Sequence, residues 1–364
     1  MGNKVREEIE GLNKYIGGKP ISEVKREFNI DKVVKMASNE NPLGCSDSVK
    51  DVLKNLVDNT ALYPDGDNYY LRKSLSQFIG IDEENIILGA GSSSLIKVIC
   101  NTLINKGEES IMGEITFVLY ETFTKLMGGK AIKVPMKDLA LDLDSILDSI
   151  NERTKIIWLC NPNNPTGTAF TTKELEEFLE KVPKNVYVVI DEAYKEYVSM
   201  ENYPDSLSLL KNYKNIIILR TFSKAYGLAS LRVGYGICDE ELAEYFNRVL
   251  NPFEVSLYAQ NAAVEAIKDK EFVEYCYDYN KKQREFFYKA FKKLNLDYKE
   301  SQSNFILVDV KGEDREINDY LLKNGYIIRP GYLLGCSGYL RISVGLEEDN
   351  KKLIELLNKY FREK

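Results

Sequence analysis

Two side chains just past apolar, strand-like runs have the types needed for paired covalent and proton chemistry. Lys224 follows the run Asn215–Leu219, within Arg220-Thr221-Phe222-Ser223-Lys224. Asp191 follows Val186–Ile190 and opens Asp191-Glu192-Ala193-Tyr194. A desolvated lysine can lose its proton and form a Schiff base with a carbonyl carbon. A carboxylate at the end of a buried strand can hold a protonated ring nitrogen. Two other turns carry polar groups. Gly89-Ala90-Gly91-Ser92-Ser93-Ser94 follows Asn85–Leu88 and opens a helix with Leu95, Ile96, Ile99, Cys100 and Leu103 on one face. Its backbone N–H groups and the helix dipole would favour a phosphate. The stretch Asn161–Gly167 follows Lys155–Cys160 and makes a rigid polar loop from which Asn164 would point inward. Arg232 lies within reach of a phosphate held near Lys224.

Each feature alone has a plainer reading: a capped turn, a tight turn, a helix N-cap, a solvated surface lysine. The chain contains no histidine, which removes Ser–His and Cys–His nucleophile systems and histidine-containing zinc sites. Proton transfer must then fall to Lys, Tyr, Asp, Glu, Cys or a bound cofactor. The turns match neither GxGxxG nor GxxxxGK[ST], so dinucleotide and P-loop readings lose ground. A phosphate cradle, an Asn, an Asp, a Tyr and a Lys at successive strand ends are the parts that pyridoxal phosphate needs, a cofactor whose ring acts as an electron sink.

The elements that must position these residues alternate. Strand-like runs at 85–88, 155–160, 186–190, 215–219 and 231–237 are separated by helical stretches such as Thr172–Lys181. They are apolar and β-branched without alternation, as expected when both faces of a parallel sheet are covered. Ligands of such sheets bind beyond the carboxyl ends of the strands. Before this region, residues 1–30 read as an arm, and Ser46 or Asp47 can cap a helix carrying Val49, Val52, Leu53, Leu56 and Val57. After the break at Asn251-Pro252 the texture changes. A long helix is expected near 270–294, then a strand over 304–310, a helix near 317–322, short strands around Ile327 and Leu340, and a closing helix near 349–360. The expected organisation is α/β: an N-terminal arm (1–30), a large domain with a mostly parallel central sheet (31–250), and a small α+β C-terminal domain (251–364).

At 364 residues the chain suits about two domains of roughly 150 residues. Its net charge of −7 argues against nucleic-acid binding, which needs a basic face. The six cysteines form no CxxC pair and read as reduced thiols of a cytoplasmic protein. The first ten residues lack the apolar core of a signal peptide, and no apolar run approaches the ~18 residues of a membrane span. Neither a metal site, a nucleic acid nor a membrane is expected as a partner.

Over nearly its whole length the chain resembles the fold-type I pyridoxal-phosphate aminotransferases, and within them it is similar to the histidinol-phosphate branch. The resemblance is carried by Tyr15…Gly18-Lys19-Pro20, Ala37–Gly44, Tyr63-Pro64-Asp65, Asn161–Gly167, Asp191–Tyr194, Arg220–Lys224, Leu231–Gly234, Arg329-Pro330 and Leu340–Gly345. It implies that Lys224 bonds covalently to pyridoxal 5'-phosphate and shuttles the substrate proton, and that Asp191 pairs with the pyridinium nitrogen. It further implies that Asn164 and Tyr194 hydrogen-bond the phenolic oxygen and that Tyr120, after Phe117, stacks on the ring. Ser92, Ser93, Ser223 and Arg232 would hold the phosphate. Tyr63 would reach the cofactor of a second subunit, making the working unit a homodimer. Arg341 would bind the substrate anion, helped by Arg329 and Tyr15. The implied reaction is transamination between L-histidinol phosphate and 2-oxoglutarate, in histidine biosynthesis. An aromatic amino-acid aminotransferase and a threonine-phosphate decarboxylase on the same framework are the alternatives. The chain departs from the branch pattern at Ser93 and Ser94, where acids are common, and at Glu254 and Leu346.

Overall fold

A computed structural model gives the fold, and it describes residues 5–14 and 16–363. The strands in chain order are β1 (Val34–Lys35), β2 (Ile86–Gly89), β3 (Glu109–Gly113), β4 (Lys130–Val134), β5 (Thr154–Cys160), β6 (Tyr187–Asp191), β7 (Ile216–Thr221), β8 (Gly234–Ile237), β9 (Phe305–Asp309), β10 (Tyr326–Ile327), β11 (Arg329–Pro330) and β12 (Tyr339–Ser343). Seven of them form one sheet in the order β2-β8-β7-β6-β5-β3-β4. The pairs among β3 to β7 are parallel, and β8 runs antiparallel to both neighbours. The chain is therefore α/β with a mostly parallel central sheet.

The apolar runs of the central strands feed two cores at once. Successive side chains of a strand point to opposite faces. Ile157, Leu159, Val188, Ile190, Ile216 and Ile218 join one buried cluster. Ile156, Trp158, Cys160, Val189, Ile217 and Leu219 join the other. Both faces are dry, so alternation in polarity has no reason to appear. The register then aligns the strand ends: Cys160 opposite Asp191, Asp191 opposite Leu219, Thr221 opposite Gly234, and Gly89 opposite Gly234. The turns that carry the candidate residues thus leave the sheet along one edge.

A second sheet, β11-β12-β9, is antiparallel and packs with Phe287, Phe291 and Leu353 around its own core. The helix Lys270–Lys293 has 24 residues, about 36 Å at 1.5 Å per residue. Its first half places Cys276 against Tyr197 and Ala225, and its second half feeds the smaller core. Strand β1 pairs in parallel with β10 to form a separate two-stranded sheet, so the segment after the arm is tied to the C-terminal part of the chain.

Four elements depart from the sequence reading. Strands β3 and β4 were not expected. β3 opens on Glu109, buried at 3% exposure and held by Arg153 Nε at 3.0 Å and Asn151 Nδ2 at 2.8 Å. Strand β4, at the sheet edge, is half exposed. The helix Leu257–Lys268 was also unexpected. Its Ala259, Ala262, Ala263 and Ala266 pack into the first core. Finally, β8 begins at Gly234 rather than near Leu231, because a short 3-10 turn and a left-handed Arg232 (φ 56°) precede it.

Candidate active site

The Gly89–Ser94 turn is shaped by close approach. Gly91 has φ +84°, and a Cβ there would sit 2.5 Å from Arg232 Nη2. A Cβ on Gly234 would sit 2.5 Å from the Ser92 amide nitrogen. Only glycine fits either place. The turn opens the helix Ser92–Leu103, whose first N–H groups lack intrahelical partners. Arg232 reaches in from the far side of β8's start. Its Nη1 donates to Ser223 Oγ at 3.3 Å and to the Ala229 carbonyl at 2.8 Å, and its Nη2 donates to Ser93 Oγ at 3.4 Å. Ser92, Ser93, Ser223 and Arg232, far apart in sequence, line one corner of a cavity of about 370 Å³.

Across that cavity lie the two titratable groups. Asp191, at the end of β6, is 3% exposed. Its Oδ1 accepts from the Ala193 amide at 3.2 Å and its Oδ2 from the Tyr120 hydroxyl at 2.7 Å. Burial pushes its pKa up to about 6, against the pull of those two donors. Lys224 donates through Nζ to the Ser38 carbonyl at 3.2 Å and lies 5.6 Å from the centre of the Tyr194 ring. Burial, followed by the positive charge of Arg341, brings its pKa down to about 7. The amine is therefore close to half neutral at physiological pH, the state in which it can attack a carbonyl.

The remaining wall comes from the loops and the smaller sheet. The Tyr194 hydroxyl accepts from Asn39 Nδ2 at 3.0 Å, and Asn39 Oδ1 accepts from Ser343 Oγ at 2.8 Å. Burial raises the Tyr194 phenol well above its ordinary pKa, opposed by Arg341 and by the Asn39 donor. Asn164 Oδ1 accepts from Arg341 Nη1 at 2.6 Å, and Arg341 Nη2 donates to the Ala37 carbonyl at 2.6 Å. Arg329 is the register partner of Arg341 across β11 and β12, and it donates to the Ile16 carbonyl. A second cavity of about 670 Å³ adjoins the first, and Phe117, Asn164 and Arg341 line both.

Lys224, Asp191, Tyr194, Asn164, Arg232, Ser92, Ser93, Ser223 and Arg341 thus meet at one cavity, and Arg329 lines its neighbour. Tyr120 needs correction as a ring-stacking residue. It is fully buried, stacked on Trp158 at 4.7 Å between ring centres, and lies beneath Asp191. Helix Leu119–Leu126 turns it into the sheet-side core. The aromatic side chain that this turn presents to the cavity is Phe117. Tyr63 is 81% exposed and stacks on Phe253 at 4.6 Å, lining neither cavity. Tyr15 lies outside the described residues. Sequence reasoning gave no role to Phe117, Asn39 or Ser343. Phe117 follows β3, the strand that went unread, and Asn39 sits in Asn39-Glu40-Asn41-Pro42, noted only as a motif.

This donor set fits pyridoxal 5'-phosphate. A glycine-shaped helix N-terminus with Arg232 suits the phosphate dianion. A buried carboxylate suits a pyridinium, and an amine of lowered pKa suits an aldehyde.

The chain matches the family described as aminotransferase class I and II over residues 31–357. It is 47% identical over 352 residues to the histidinol-phosphate aminotransferase of Caldicellulosiruptor saccharolyticus, covering 97% of this chain and 98% of that protein. It is 43% identical over 361 residues to the enzyme of the same name from Anoxybacillus flavithermus, covering 99% and 97%. The crystal structure of histidinol-phosphate aminotransferase from Sinorhizobium meliloti in complex with pyridoxal-5'-phosphate superposes with a TM-score of 0.92 at 25% identity, covering 100% of this chain and 99% of that one.

Proposed function

The chain belongs to the class I and II aminotransferase family, and on that premise we propose that it moves the amino group of L-histidinol phosphate to 2-oxoglutarate, reversibly, giving imidazole-acetol phosphate and glutamate for histidine biosynthesis. The observation that carries the reaction class is the convergence of Lys224, Asp191 and Arg341 on one cavity. The donor is supported by relatives of that name that are 43–47% identical over nearly the full chain.

When bound, pyridoxal 5'-phosphate supplies a carbonyl carbon that takes up amines and a ring that draws electrons from the substrate Cα. Lys224 provides the amine that holds the cofactor and then carries the proton off Cα. Asp191, ionised above about pH 6, keeps a proton on the ring nitrogen. Tyr120 holds that carboxylate from below. Asn164 and Tyr194 would hold the cofactor at its phenolic oxygen, and Phe117, which lines the same cavity, would pack against it. Ser92, Ser93, Ser223 and Arg232 fasten the phosphate. Arg341 forms paired N–H bonds to the substrate anion, a carboxylate or a phosphate alike, with Arg329 and Tyr15 assisting. One guanidinium can serve both partners of a two-stage exchange because their anionic groups present similar oxygens.

Two copies form the working unit in this reading, each lending Tyr63 to the other's phosphate. Support comes from Tyr63 itself, a tyrosine left 81% exposed beside Phe253, itself 44% exposed. The proposed division is an arm (1–30), a large domain (31–250) and a small one (251–364), in line with the separate seven- and three-stranded sheets, although helix Leu257–Lys268 packs into the first core. A cytoplasmic location is in keeping with six cysteines that are all unpaired.

The test is a half-reaction screen. Holoenzyme is mixed with histidinol phosphate, phenylalanine or threonine phosphate while the cofactor's visible absorbance is followed. Fast bleaching by histidinol phosphate alone is expected. Bleaching by phenylalanine alone, or release of carbon dioxide from threonine phosphate, would replace the donor.

A further inference from the structure

The outer cavity is lined by charged groups of both signs. Arg341, Asn164 and Phe117 border both cavities, so they form the neck. Glu121, Thr122 and Lys133 line the outer cavity and not the inner one. Glu121 Oε2 is 2.6 Å from Lys133 Nζ, and its Oε1 is 2.6 Å from Lys125 Nζ. The Glu121 side chain is 23% exposed and that of Lys133 43%, and both line the cavity. Burial pushes the Glu121 carboxyl up, but its two lysines outweigh that and hold it below the ordinary value. It is therefore an anion at neutral pH. A carboxylate has about four lone-pair sites and a lysine three N–H donors. Neither group is saturated by the other.

On the donor and acceptor proposed above, two unlike side chains must fit this cavity. With its anionic group at Arg341, the donor projects an imidazole outward, and the 2-oxoacid projects a second carboxylate. An imidazole offers a ring N–H whether neutral or charged. A carboxylate offers only acceptors. One fixed charge in the cavity wall would recognise one partner and repel the other. An ion pair offers both signs within the reach of a single side chain.

We propose that Glu121 and Lys133 form an amphoteric wall that sets specificity, Glu121 accepting the ring N–H of the imidazole-bearing donor and Lys133 taking the distal carboxylate of the 2-oxoacid. The same helix that sets Tyr120 beneath Asp191 carries Glu121 into the outer cavity.

Steady-state kinetics of holoenzyme variants test this. Glu121→Gln should raise KM for histidinol phosphate about tenfold, the size of one charged hydrogen bond, with kcat within about twofold and no rise in KM for 2-oxoglutarate. Lys133→Met should do the converse. Calorimetry adds an equilibrium readout: a donor analogue that keeps phosphate and imidazole but lacks the amine should bind Glu121→Gln about tenfold more weakly and Lys133→Met as well as wild type. Variants whose two KM values move together, or not at all, would overturn the wall. If Glu121→Gln does not fold, Glu121→Asp keeps the charge but withdraws it by one methylene, and the same split in KM is expected. Absent turnover of histidinol phosphate by the wild-type protein would overturn the donor assignment and this inference together. A wild-type enzyme active on it, with unsplit variants, would overturn this inference alone.

Discussion

The inner and outer cavities use ionisable groups in opposite ways. In the inner one, burial moves charge towards neutrality: Asp191 rises to about 6 and Lys224 falls to about 7. In the outer one, charge is preserved, as at Glu121, where two lysines override burial. The neck residue Arg341 belongs to both. Groups that must gain and lose protons at working pH need pKa values near it. Groups that must recognise ions need permanent charge. Desolvation supplies the first condition at Lys224 and Asp191, and paired lysines supply the second at Glu121.

The largest effect should come from deleting the inner amine. Lys224→Ala is expected to lower turnover by at least about 10²–10⁴-fold, the range of a positioned acid–base group, and to lose the visible absorbance of covalently held cofactor. Retention of both would end the assignment. At the neck, Arg341→Leu should raise KM for both anionic substrates by roughly 10- to 100-fold, as for loss of a charged hydrogen bond. A variant affecting kcat alone would move Arg341 into the inner, chemical set.

Tyr120→Phe sharpens the inner half. It keeps the ring on Trp158 and removes only the 2.7 Å donor to Asp191. That donor lowers the Asp191 pKa, so its loss must raise it. If catalysis needs the carboxylate ionised, the acid limb of the kcat–pH profile shifts upward, and kcat falls about tenfold. An unmoved acid limb would make Tyr120 a packing residue only. The mildest test needs no substitution. Cofactor-free protein should take up pyridoxal 5'-phosphate with a rate that climbs through pH 7 and levels off by about pH 8, because Lys224 is mostly neutral above its pKa of about 7. A rate still climbing at pH 10, near the ordinary lysine value, would mean that burial does not act on it.

What could be read in advance depended on how much of each signal was local. Strands β5, β6 and β7 announced themselves because both their faces are apolar. β3 did not, since Glu109 is buried only by virtue of Arg153 and Asn151, partners more than forty positions away. Losing β3 also cost Phe117, whose place at the cavity follows from that strand's end. Tyr120 lies three residues beyond Phe117, the aromatic that lines the cavity, because which way a helix start turns its aromatics depends on the core it meets, here Trp158. Asn39 and Ser343 join through a contact between segments 304 positions apart, which no local pattern announces.

From residue types and their order alone came the α/β class and the placing of Lys224, Asp191 and the Gly89–Ser94 turn at strand ends, since strand periodicity and small-residue turns are properties of neighbouring residues. Burial came only from the assembled chain. It is the exclusion of water by segments far apart in sequence that moves the protons of Lys224 and Asp191 into working range, and it is the cross-strand register of β11 and β12 that sets Arg329 beside Arg341.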